Sequence, residues 1–250
     1  MMKIKKQPGI DMMSSKVESE SMHINNECVL ITASSKGLGK AIAEIFAENK
    51  YDIILHGRNE EKTKKTGEEL VQRGVNVYTV LGDLRKEETL EALCSQAKER
   101  NISVLVNNAA IPCCGKPIEE LNDEYILENL EVNLIVPIKL ARRIYPLFLD
   151  RGYGSIININ SIVGLEPKKF RSVHSASKWG LRGFSSSLRI EAKTRNIQVM
   201  EVYPTRIKTA AEFTYGMEPR EVAQKIYDAY KKKDLDDLII DGRPLEYRGK

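Results

Sequence analysis

The sequence predicts an α/β fold, a doubly wound parallel sheet of about seven strands with helices on both faces. Short apolar runs alternate with amphipathic segments from Cys28 onward, which is typical of βαβ units. The apolar runs are nearly continuous, as expected for strands that are buried on both faces. A length of 250 residues and a hydrophobic content of 42% suit one domain with a large core.

Each predicted element follows from this alternation. The apolar runs predict strands at Cys28–Thr32, Asp52–His56, Asn76–Leu81, Ser103–Asn107, Ser155–Asn160, Gln198–Tyr203 and Asp237–Asp241. The amphipathic segments predict helices at Gly37–Asn49, Glu60–Arg73, Lys86–Arg100, Asp123–Asp150, His174–Thr194 and Arg220–Lys232. Ligands of such sheets bind beyond the carboxyl ends of the strands, so polar residues at those ends are the candidate site.

Charge and composition exclude several classes of function. The net charge of +4 is spread along the chain, so we expect no nucleic-acid partner, which needs a clustered basic face. No apolar run predicts a signal peptide or a membrane span, so we expect no membrane partner. The cysteines Cys28, Cys94, Cys113 and Cys114 have neither metal-ligand nor disulfide spacing. We therefore expect no metal and a reducing, cytoplasmic location.

The N-terminus differs in composition from the rest of the chain. Residues 1–25 are rich in Lys, Ser, Glu and Met and have no periodicity, which predicts a flexible tail. Residues 26–250 then form the single predicted domain. A translation start at Met12, Met13 or Met22 in place of Met1 stays open.

A glycine-containing loop follows the first predicted strand. Its sequence is Thr32-Ala33-Ser34-Ser35-Lys36-Gly37-Leu38-Gly39, and it opens a predicted helix. The two glycines let the backbone and the helix N-terminus approach a pair of phosphates. This pattern favours a Rossmann-type dinucleotide site, although its spacing is not G-x-G-x-x-G. An ordinary glycine-containing turn is the alternative.

The second predicted strand ends in His56-Gly57-Arg58-Asn59. A site selective for NAD has an acidic residue here that binds the ribose 2′-hydroxyl, and none is present. Arg58 and Lys36 are instead placed to bind a 2′-phosphate. The sequence therefore favours NADP(H) over NAD(H), the alternative being that both cations are solvated surface residues.

Four polar residues lie at regular positions in the second half of the chain. Asn133 lies in a predicted helix, Ser161 follows the fifth strand, and His174 and Lys178 share the next helix, at separations of 28, 13 and 4 residues. The last separation places His174 and Lys178 one turn apart on one helix face. With the glycine loop, these positions resemble the Asn-Ser-Tyr-Lys tetrad of the short-chain dehydrogenase/reductase family. The resemblance covers about residues 27 to 245, with His174 at the position of the tyrosine.

The resemblance implies a set of cofactor-binding residues. It carries Asp83-Leu84 onto the family's adenine-binding pair, and Asn107-Asn108-Ala109-Ala110 onto its N-N-A-G motif. The implied set is Thr32, Ser34, Ser35, Lys36, Gly37, Leu38, Gly39, Arg58, Asp83, Leu84, Asn107, Ala109, Lys178, Pro204, Ile207 and Thr209. Family glycines are replaced at Ala33, Ala110 and Thr205, and Ala33 would crowd a pyrophosphate if its φ must be positive.

The resemblance also implies roles for the catalytic set Asn133, Ser161, His174 and Lys178. Ser161 would polarise the substrate oxygen, Lys178 would bind the nicotinamide ribose, and Asn133 would hold a water. Residue 174 would transfer the proton. A histidine is already mostly neutral at pH 7, and nearby Lys178 would lower its pKa further. We expect a ready base but a poor acid, hence weaker activity that is shifted to lower pH.

These features favour an NADP(H)-dependent oxidoreductase that interconverts a carbonyl and a secondary alcohol. The lost glycines and the missing tyrosine leave an alternative, a nucleotide-binding pseudoenzyme or regulatory protein of the same fold. A third possibility is a dehydration or isomerisation with His174 as the base.

The substrate and the assembly are predicted from surface residues. Five cations flank the expected cleft mouth and favour an anionic substrate, the alternative being a solvated basic rim: Lys168, Lys169, Arg171, Arg206 and Lys208. The segment after Thr209 resembles a short substrate lid. The long helices Asp123–Asp150 and His174–Thr194 carry more apolar residues than one core needs, and the resemblance, through the helix pairing common in the family, implies a homodimer or homotetramer.

Overall fold

A computed structural model describes residues 27–209 and 215–244 of the chain. Its strands are β1 (Cys28–Ile31), β2 (Asp52–Gly57), β3 (Val77–Leu81), β4 (Val104–Asn107), β5 (Gly154–Ile159), β6 (Ile197–Pro204) and β7 (Asp237–Ile240). They form one seven-stranded sheet in the order β3-β2-β1-β4-β5-β6-β7, and every neighbouring pair is parallel. The predicted fold class is confirmed.

Helices cover both faces of this sheet. They are α1 (Gly37–Glu48), α2 (Glu60–Val71), α3 (Glu87–Glu99), α4 (Asp123–Leu130), α5 (Val136–Arg151), α6 (Ser172–Ala192) and α7 (Pro219–Lys232). Helices α1, α2 and α7 contribute to one hydrophobic core, and α3, α5 and α6 to the other. Strand β1 separates them, because Val29 and Ile31 face the first core while Cys28 and Leu30 face the second. Burial on both faces explains why the strands are apolar throughout.

The predicted elements are all present, with ends shifted by one or two residues. The helix predicted at Asp123–Asp150 differs internally, because a π-helical turn at Glu131–Ile135 separates α4 from α5. Such turns occur mostly as single insertions in α-helices and often at functional sites. Here the turn contains Asn133. Hydrophobic periodicity does not encode a local change in hydrogen-bond register, so the sequence did not reveal it.

The strand order reverses between β1 and β4, which opens a crevice at the carboxyl edge of the sheet. None of the helices in the described residues is long and apolar enough to cross a membrane. Within residues 27–209 and 215–244, no cluster of His, Cys, Asp and Glu side chains is arranged to hold a metal. The predicted tail, residues 1–25, lies outside the described residues, and its separation from a single domain stays a prediction.

Candidate active site

The loop after β1 is held by its own hydroxyl side chains. The Thr32 hydroxyl oxygen accepts hydrogen bonds from the backbone N–H of Asn108 at 2.9 Å and of Ala109 at 3.0 Å. The Ser34 hydroxyl donates to the carbonyl of Ile31 at 2.8 Å. Thr32 and Ser34 are both buried, so their place in the structure is to join the loop to β1 and β4.

The N-terminus of α1 is suited to an anion. The helix begins at Gly37, whose φ of +56° favours glycine. The preceding Lys36 provides no side-chain cap, and the first turn contains no acidic residue. The first N–H groups of a helix have no partner within the helix, so this end fits the phosphates of a dinucleotide. Thr209 lies against Gly37, because a Cβ at Gly37 would come within 3.1 Å of the Thr209 side chain.

The three positions at which the resemblance implies a glycine differ in their backbone conformation. Ala33 has a φ of +52°, so this position does require the left-handed region. Ala110 and Thr205 are not among the described residues with positive φ. The Thr205 hydroxyl accepts a hydrogen bond from the N–H of Gly242 at 2.9 Å. Only Ala33 therefore carries the strain that a side chain meets at a glycine position.

A cavity of about 450 Å³ lies beside this loop, at the ends of β1 to β4. Its lining includes these members of the predicted cofactor set: Ser35, Lys36, Arg58, Asp83, Leu84 and Ala109. Lys62, in the first turn of α2, also lines it and was not predicted from the sequence. The sequence feature from which Lys62 could have been predicted is its position four residues after Arg58, in the first turn of the next helix.

The carboxylates at this cavity are paired with one arginine. Arg85 donates to both carboxylate oxygens of Asp83 at 2.6–3.1 Å, and lies 3.2 Å from Glu128. Hydrogen bonding from Arg85 lowers the pKa of Asp83 to about 2. Asp83 therefore stays ionised, and Lys36, Arg58 and Lys62 supply the remaining positive charge of the lining.

Asn160 joins the predicted catalytic residues Ser161 and Lys178. Its Oδ1 accepts from the backbone N–H of Ser161 at 2.8 Å, and its Nδ2 donates to the backbone carbonyl of Lys178 at 3.0 Å. The Lys178 Nζ donates to the carbonyl of Ile159 at 2.8 Å. The end of β5 and the first half of α6 are thereby held together at the carboxyl edge.

Asn133 contacts His174, the last of the four predicted catalytic residues. Its amide pairs with the backbone of Ile111, with Oδ1 accepting at 2.7 Å and Nδ2 donating at 3.0 Å, which fixes its orientation. Its Nδ2 also lies 3.4 Å from His174 Nδ1. The two amide protons of Asn133 are directed to the Ile111 carbonyl and to Asn129 Oδ1, at 3.0 and 3.1 Å, so the longer contact with Nδ1 positions the imidazole without assigning its tautomer.

Burial controls the ionisation of His174 and Lys178. Desolvation, then the charges of Lys178 and Arg171, lowers the pKa of His174 to about 4. Desolvation lowers the pKa of Lys178 to about 8, against a smaller opposing effect from Glu201. At neutral pH, His174 is therefore neutral and Lys178 is mostly protonated.

A buried acidic residue supports the site from below and was not predicted from the sequence. Glu201 on β6 accepts from Asn160 Nδ2 at 2.8 Å and from the Tyr203 hydroxyl. Burial raises the pKa of its carboxyl. Glu201 falls in an apolar strand pattern, where a carboxylate is usually taken as exposed; its partners become visible only when β5 and β6 pair.

Other predicted residues lie around the same crevice. Asn107 donates to Asn158 Oδ1 at 2.8 Å, while its own Oδ1 is buried with no hydrogen-bond partner among the described residues. Pro204 ends β6 and Ile207 packs against a core. A buried acceptor without a partner at the carboxyl end of β4 fits a site that is completed by a ligand. Residues 210–214 of the predicted lid lie outside the described residues.

The basic rim is partly neutralised. Lys168 lies 3.7 Å from Glu166, and Lys208 lies 2.8 Å from Glu218. Lys169 and Arg206 lie over the rings of Phe170 and Tyr215. Arg171, at the start of α6, is near enough to lower the pKa of His174. Arg171 is therefore the predicted cation whose charge contributes to the lowered pKa of His174.

Cys113 makes a hydrogen bond between two loops. Its thiol donates to the carbonyl of Phe170 at 3.3 Å, and Phe170 has a φ of +64°. This contact connects the loop after β4 to the loop that precedes His174.

Comparison with known proteins places this arrangement among oxidoreductases. Residues 27–217 match the family model described as short chain dehydrogenase. Sulfoacetaldehyde reductase 2 of Chromohalobacter salexigens is 31% identical over 192 residues, which are 76% of this chain and 75% of that protein. The 3-oxoacyl-(acyl-carrier-protein) reductase FabG of Rickettsia prowazekii is 35% identical over 199 residues, 79% of this chain and 80% of that protein.

Solved structures that resemble this chain also belong to dehydrogenases. A short-chain dehydrogenase from Sphingobium yanoikuyae in complex with NADPH has a TM-score of 0.78 at 26% identity, covering 88% of each chain. An alcohol dehydrogenase from the archaeon Thermococcus sibiricus, complexed with 5-hydroxy-NADP, has a TM-score of 0.80 at 25% identity, covering 90% of this chain and 99% of that one. The fold of this chain thus recurs in proteins that hold nicotinamide nucleotides.

Proposed function

The chain belongs to the short-chain dehydrogenase family, and on that premise we propose that it is an NADP(H)-dependent oxidoreductase that interconverts a carbonyl and a secondary alcohol. One observation carries the proposal. Asn133 contacts His174, and Asn160 joins Ser161 to Lys178, at the sheet edge where a cationic cavity opens. A site with a hydroxyl, an imidazole and a buried ammonium group is suited to polarising an oxygen and moving a proton.

The preference for NADP(H) rests on the charge of the cavity. Lys36, Arg58 and Lys62 line it, whereas its carboxylates Asp83 and Glu128 are engaged by Arg85. A 2′-phosphate gains charge-assisted hydrogen bonds from such a set, and a 2′-hydroxyl gains far less. The NADPH and 5-hydroxy-NADP named for two structural relatives support the same choice.

The proposed roles divide among the residues of the edge. A nicotinamide cofactor, when bound, supplies or accepts the hydride. Ser161 donates a hydrogen bond to the substrate oxygen, and Lys178 binds the nicotinamide ribose and keeps positive charge beside His174. Asn133 orients the imidazole, because its amide faces Nδ1.

His174 performs the proton transfer under a definite constraint. With its pKa lowered to about 4, the ring of His174 is neutral at pH 7. Neutral imidazole is a very weak acid, so carbonyl reduction needs the protonated ring and becomes faster as the pH falls. Alcohol oxidation needs a free lone pair, which the neutral ring has on the nitrogen that does not carry its proton; that nitrogen takes the hydroxyl proton, and the ring becomes imidazolium.

We further propose an anionic substrate, with Arg171 as the residue that favours it. Arg171 lies three positions before His174 and affects its ionisation. The name of one relative, sulfoacetaldehyde reductase 2, denotes a substrate with an anionic sulfonate group and supports this proposal.

A homodimer or homotetramer is also proposed. Large apolar side chains are exposed on α4 and α6, with Leu127 at 66%, Ile190 at 77% and Trp179 at 45%. Apolar exposure of this kind favours a second copy. Light scattering after size exclusion would reveal a mass near 28 kDa if the chain is a monomer, and this proposal would then be wrong.

The alternative is a nucleotide-binding protein of this fold that lacks turnover. The relatives named as reductases make it the less favoured reading. A dehydration or isomerisation would instead give turnover without a change in nicotinamide absorbance. A single assay that follows both substrate loss and absorbance separates these cases.

The first experiment compares the affinities of NADPH and NADH by calorimetry. Arg58→Ala should weaken NADPH about 10- to 100-fold, because a hydrogen bond to a charged group contributes about 1.5–3 kcal/mol. Its NADH affinity should stay within about threefold. The control is Lys64→Ala, which removes an exposed cation of α2 that is not in the cavity lining. Equal affinity for both nucleotides in the wild type would overturn the NADP(H) preference, and no binding of either would overturn the function.

A further inference from the structure

His56, at the end of β2, contacts the loop through its ring. Its Nδ1 accepts a hydrogen bond from the backbone N–H of Ala33 at 3.0 Å, and its Nε2 lies 3.1 Å from the carbonyl oxygen of Gly82. A carbonyl only accepts, so Nε2 carries the proton and Nδ1 is free to accept. The ring is buried, with 2% of its surface exposed, and both of its nitrogens are used.

Ala33 needs such support because of its backbone. At a φ of +52° its Cβ is crowded, a cost that glycine does not have. Its carbonyl oxygen accepts from Asn108 Nδ2 at 3.2 Å, on the opposite side from the His56 contact. The two peptide groups of Ala33 are therefore each held by a neighbouring side chain.

We propose that His56 is a positioning residue that holds Ala33 in the left-handed conformation and so shapes the loop for the phosphates of the nucleotide. The proposal rests on the proposed function, because it assumes that this loop binds a nicotinamide nucleotide. The hydrogen bond from His56, on the adjacent strand, thus takes the place of the conformational freedom that a glycine would have.

The surroundings keep the ring in the form that this contact needs. Burial and the charge of Arg58 oppose protonation, while the Gly82 carbonyl and Asp83 favour it, and the net effect is a lowered pKa for His56. A neutral ring retains its acceptor at Nδ1. A protonated ring would place an N–H against the N–H of Ala33.

The backbone of β2 contributes separately to the same loop. The N–H of Ser34 donates to the His56 carbonyl at 2.8 Å, and the His56 N–H donates to the Ser34 hydroxyl at 3.0 Å. These contacts do not involve the ring, so side-chain substitutions at residue 56 leave them in place.

Two substitutions separate the functions of the ring nitrogens. The Oδ1 of His56→Asn replaces the acceptor at Nδ1, whereas the amide of His56→Gln reaches the Nε2 position and faces the Gly82 carbonyl. Each is made in the wild type and in Ala33→Gly. The measurements are the NADPH dissociation constant and the melting temperature of the nucleotide-free protein.

We expect His56→Gln to weaken NADPH binding about tenfold in the wild type, since it leaves the Ala33 N–H without its acceptor. His56→Asn should stay within about threefold, because it keeps that acceptor. In Ala33→Gly, His56→Gln should cost no more than about threefold, because glycine holds the conformation unaided. The melting temperatures should show the same non-additivity.

Additive effects of His56→Gln and Ala33→Gly, in both measurements, would overturn the proposal. So would a His56→Asn variant as impaired as His56→Gln. If the wild type binds no nucleotide, the proposed function fails, while the melting temperatures still decide whether His56 supports Ala33. If His56→Gln does not fold in the wild type, its folding in Ala33→Gly would support the proposal, and its failure there would overturn it.

Discussion

The nucleotide end and the catalytic end of the sheet depart from the family pattern in different ways. At the nucleotide end, Ala33 lies where the resemblance implies a glycine; its backbone is left-handed, and neighbouring side chains hold it. At the catalytic end, the proposed tetrad keeps the spacing expected of the family, but His174, at the position proposed for the tyrosine, brings a group with a different acidity. Neighbours can restore a backbone conformation through hydrogen bonds. They do not restore the acidity of a phenol, which belongs to the side chain itself.

The prediction with the largest expected effect tests whether His174 transfers the proton. His174→Ala should lower kcat about 10²- to 10⁴-fold, the usual contribution of a positioned acid or base. NADPH affinity should change by less than about threefold, because the cationic cavity is formed by other residues. Steady-state rates with the best carbonyl substrate from an NADPH-oxidation screen provide the measurement. Full activity in this variant would exclude His174 as the proton-transfer group.

The second prediction concerns the pH dependence of carbonyl reduction. The wild-type rate should rise as the pH falls from 8 towards 5, because the pKa of His174 is lowered to about 4 and the acid form becomes more populated. His174→Tyr should give a flatter profile, since a phenol with a pKa near 10 stays protonated over this range. At pH 7.5 the tyrosine variant should be faster by about 10- to 100-fold.

The control for this profile is protein stability. The His174 pKa is lower in the folded chain than the value near 6.5 of an unfolded histidine, so the unfolded state binds more protons between about pH 6.5 and 4. Stability due to a neutral His174 is therefore lost as the pH falls through that window. Circular dichroism at each pH separates unfolding from a change in rate. An identical profile in His174→Tyr would contradict the assignment.

The third prediction concerns the substrate side of the catalytic end. Arg171→Gln should raise KM about 5- to 10-fold for an anionic aldehyde such as sulfoacetaldehyde, and leave it unchanged for an uncharged aldehyde of similar size. Lys168→Gln is the matched control, because Lys168 already lies beside Glu166. Equal effects of the two substitutions would indicate that the positive charge of the whole rim attracts the substrate, and not that Arg171 contacts it.

Much of this comparison could be predicted from the sequence, because it depends on spacing. Parallel strands place their carboxyl ends together, so Ser161 after β5 and Lys178 in α6 were expected at one edge of the sheet, where Asn160 hydrogen-bonds the backbone of both. The periodicity of α6 placed His174 one turn from Lys178. The number and order of the elements followed from the alternation of apolar and amphipathic segments.

Other features depend on contacts between distant residues, which spacing does not encode. The support of Ala33 by His56 requires the pairing of β1 and β2, and His56 by itself is an unremarked residue at the end of a strand. The buried Glu201 needs Asn160 and Tyr203 as partners. Sequence reasoning also placed five cations at the rim without the carboxylates that neutralise two of them, Glu166 and Glu218.

The prediction with the smallest expected effect compares Ala33 with Thr205, two positions at which the resemblance implies a glycine. Ala33→Gly should stabilise the protein by about 1 kcal/mol, because it removes a side chain from a left-handed position. For a chain of this size that shifts the melting temperature by about 2–4 °C. Thr205→Gly should destabilise the protein by about 1 kcal/mol, because Thr205 has no positive φ and its hydroxyl accepts from Gly242. Thermal denaturation without nucleotide measures both. Shifts of the same sign would mean that backbone strain does not distinguish the two positions, and would remove the physical reason for treating Ala33 as the residue that needs support.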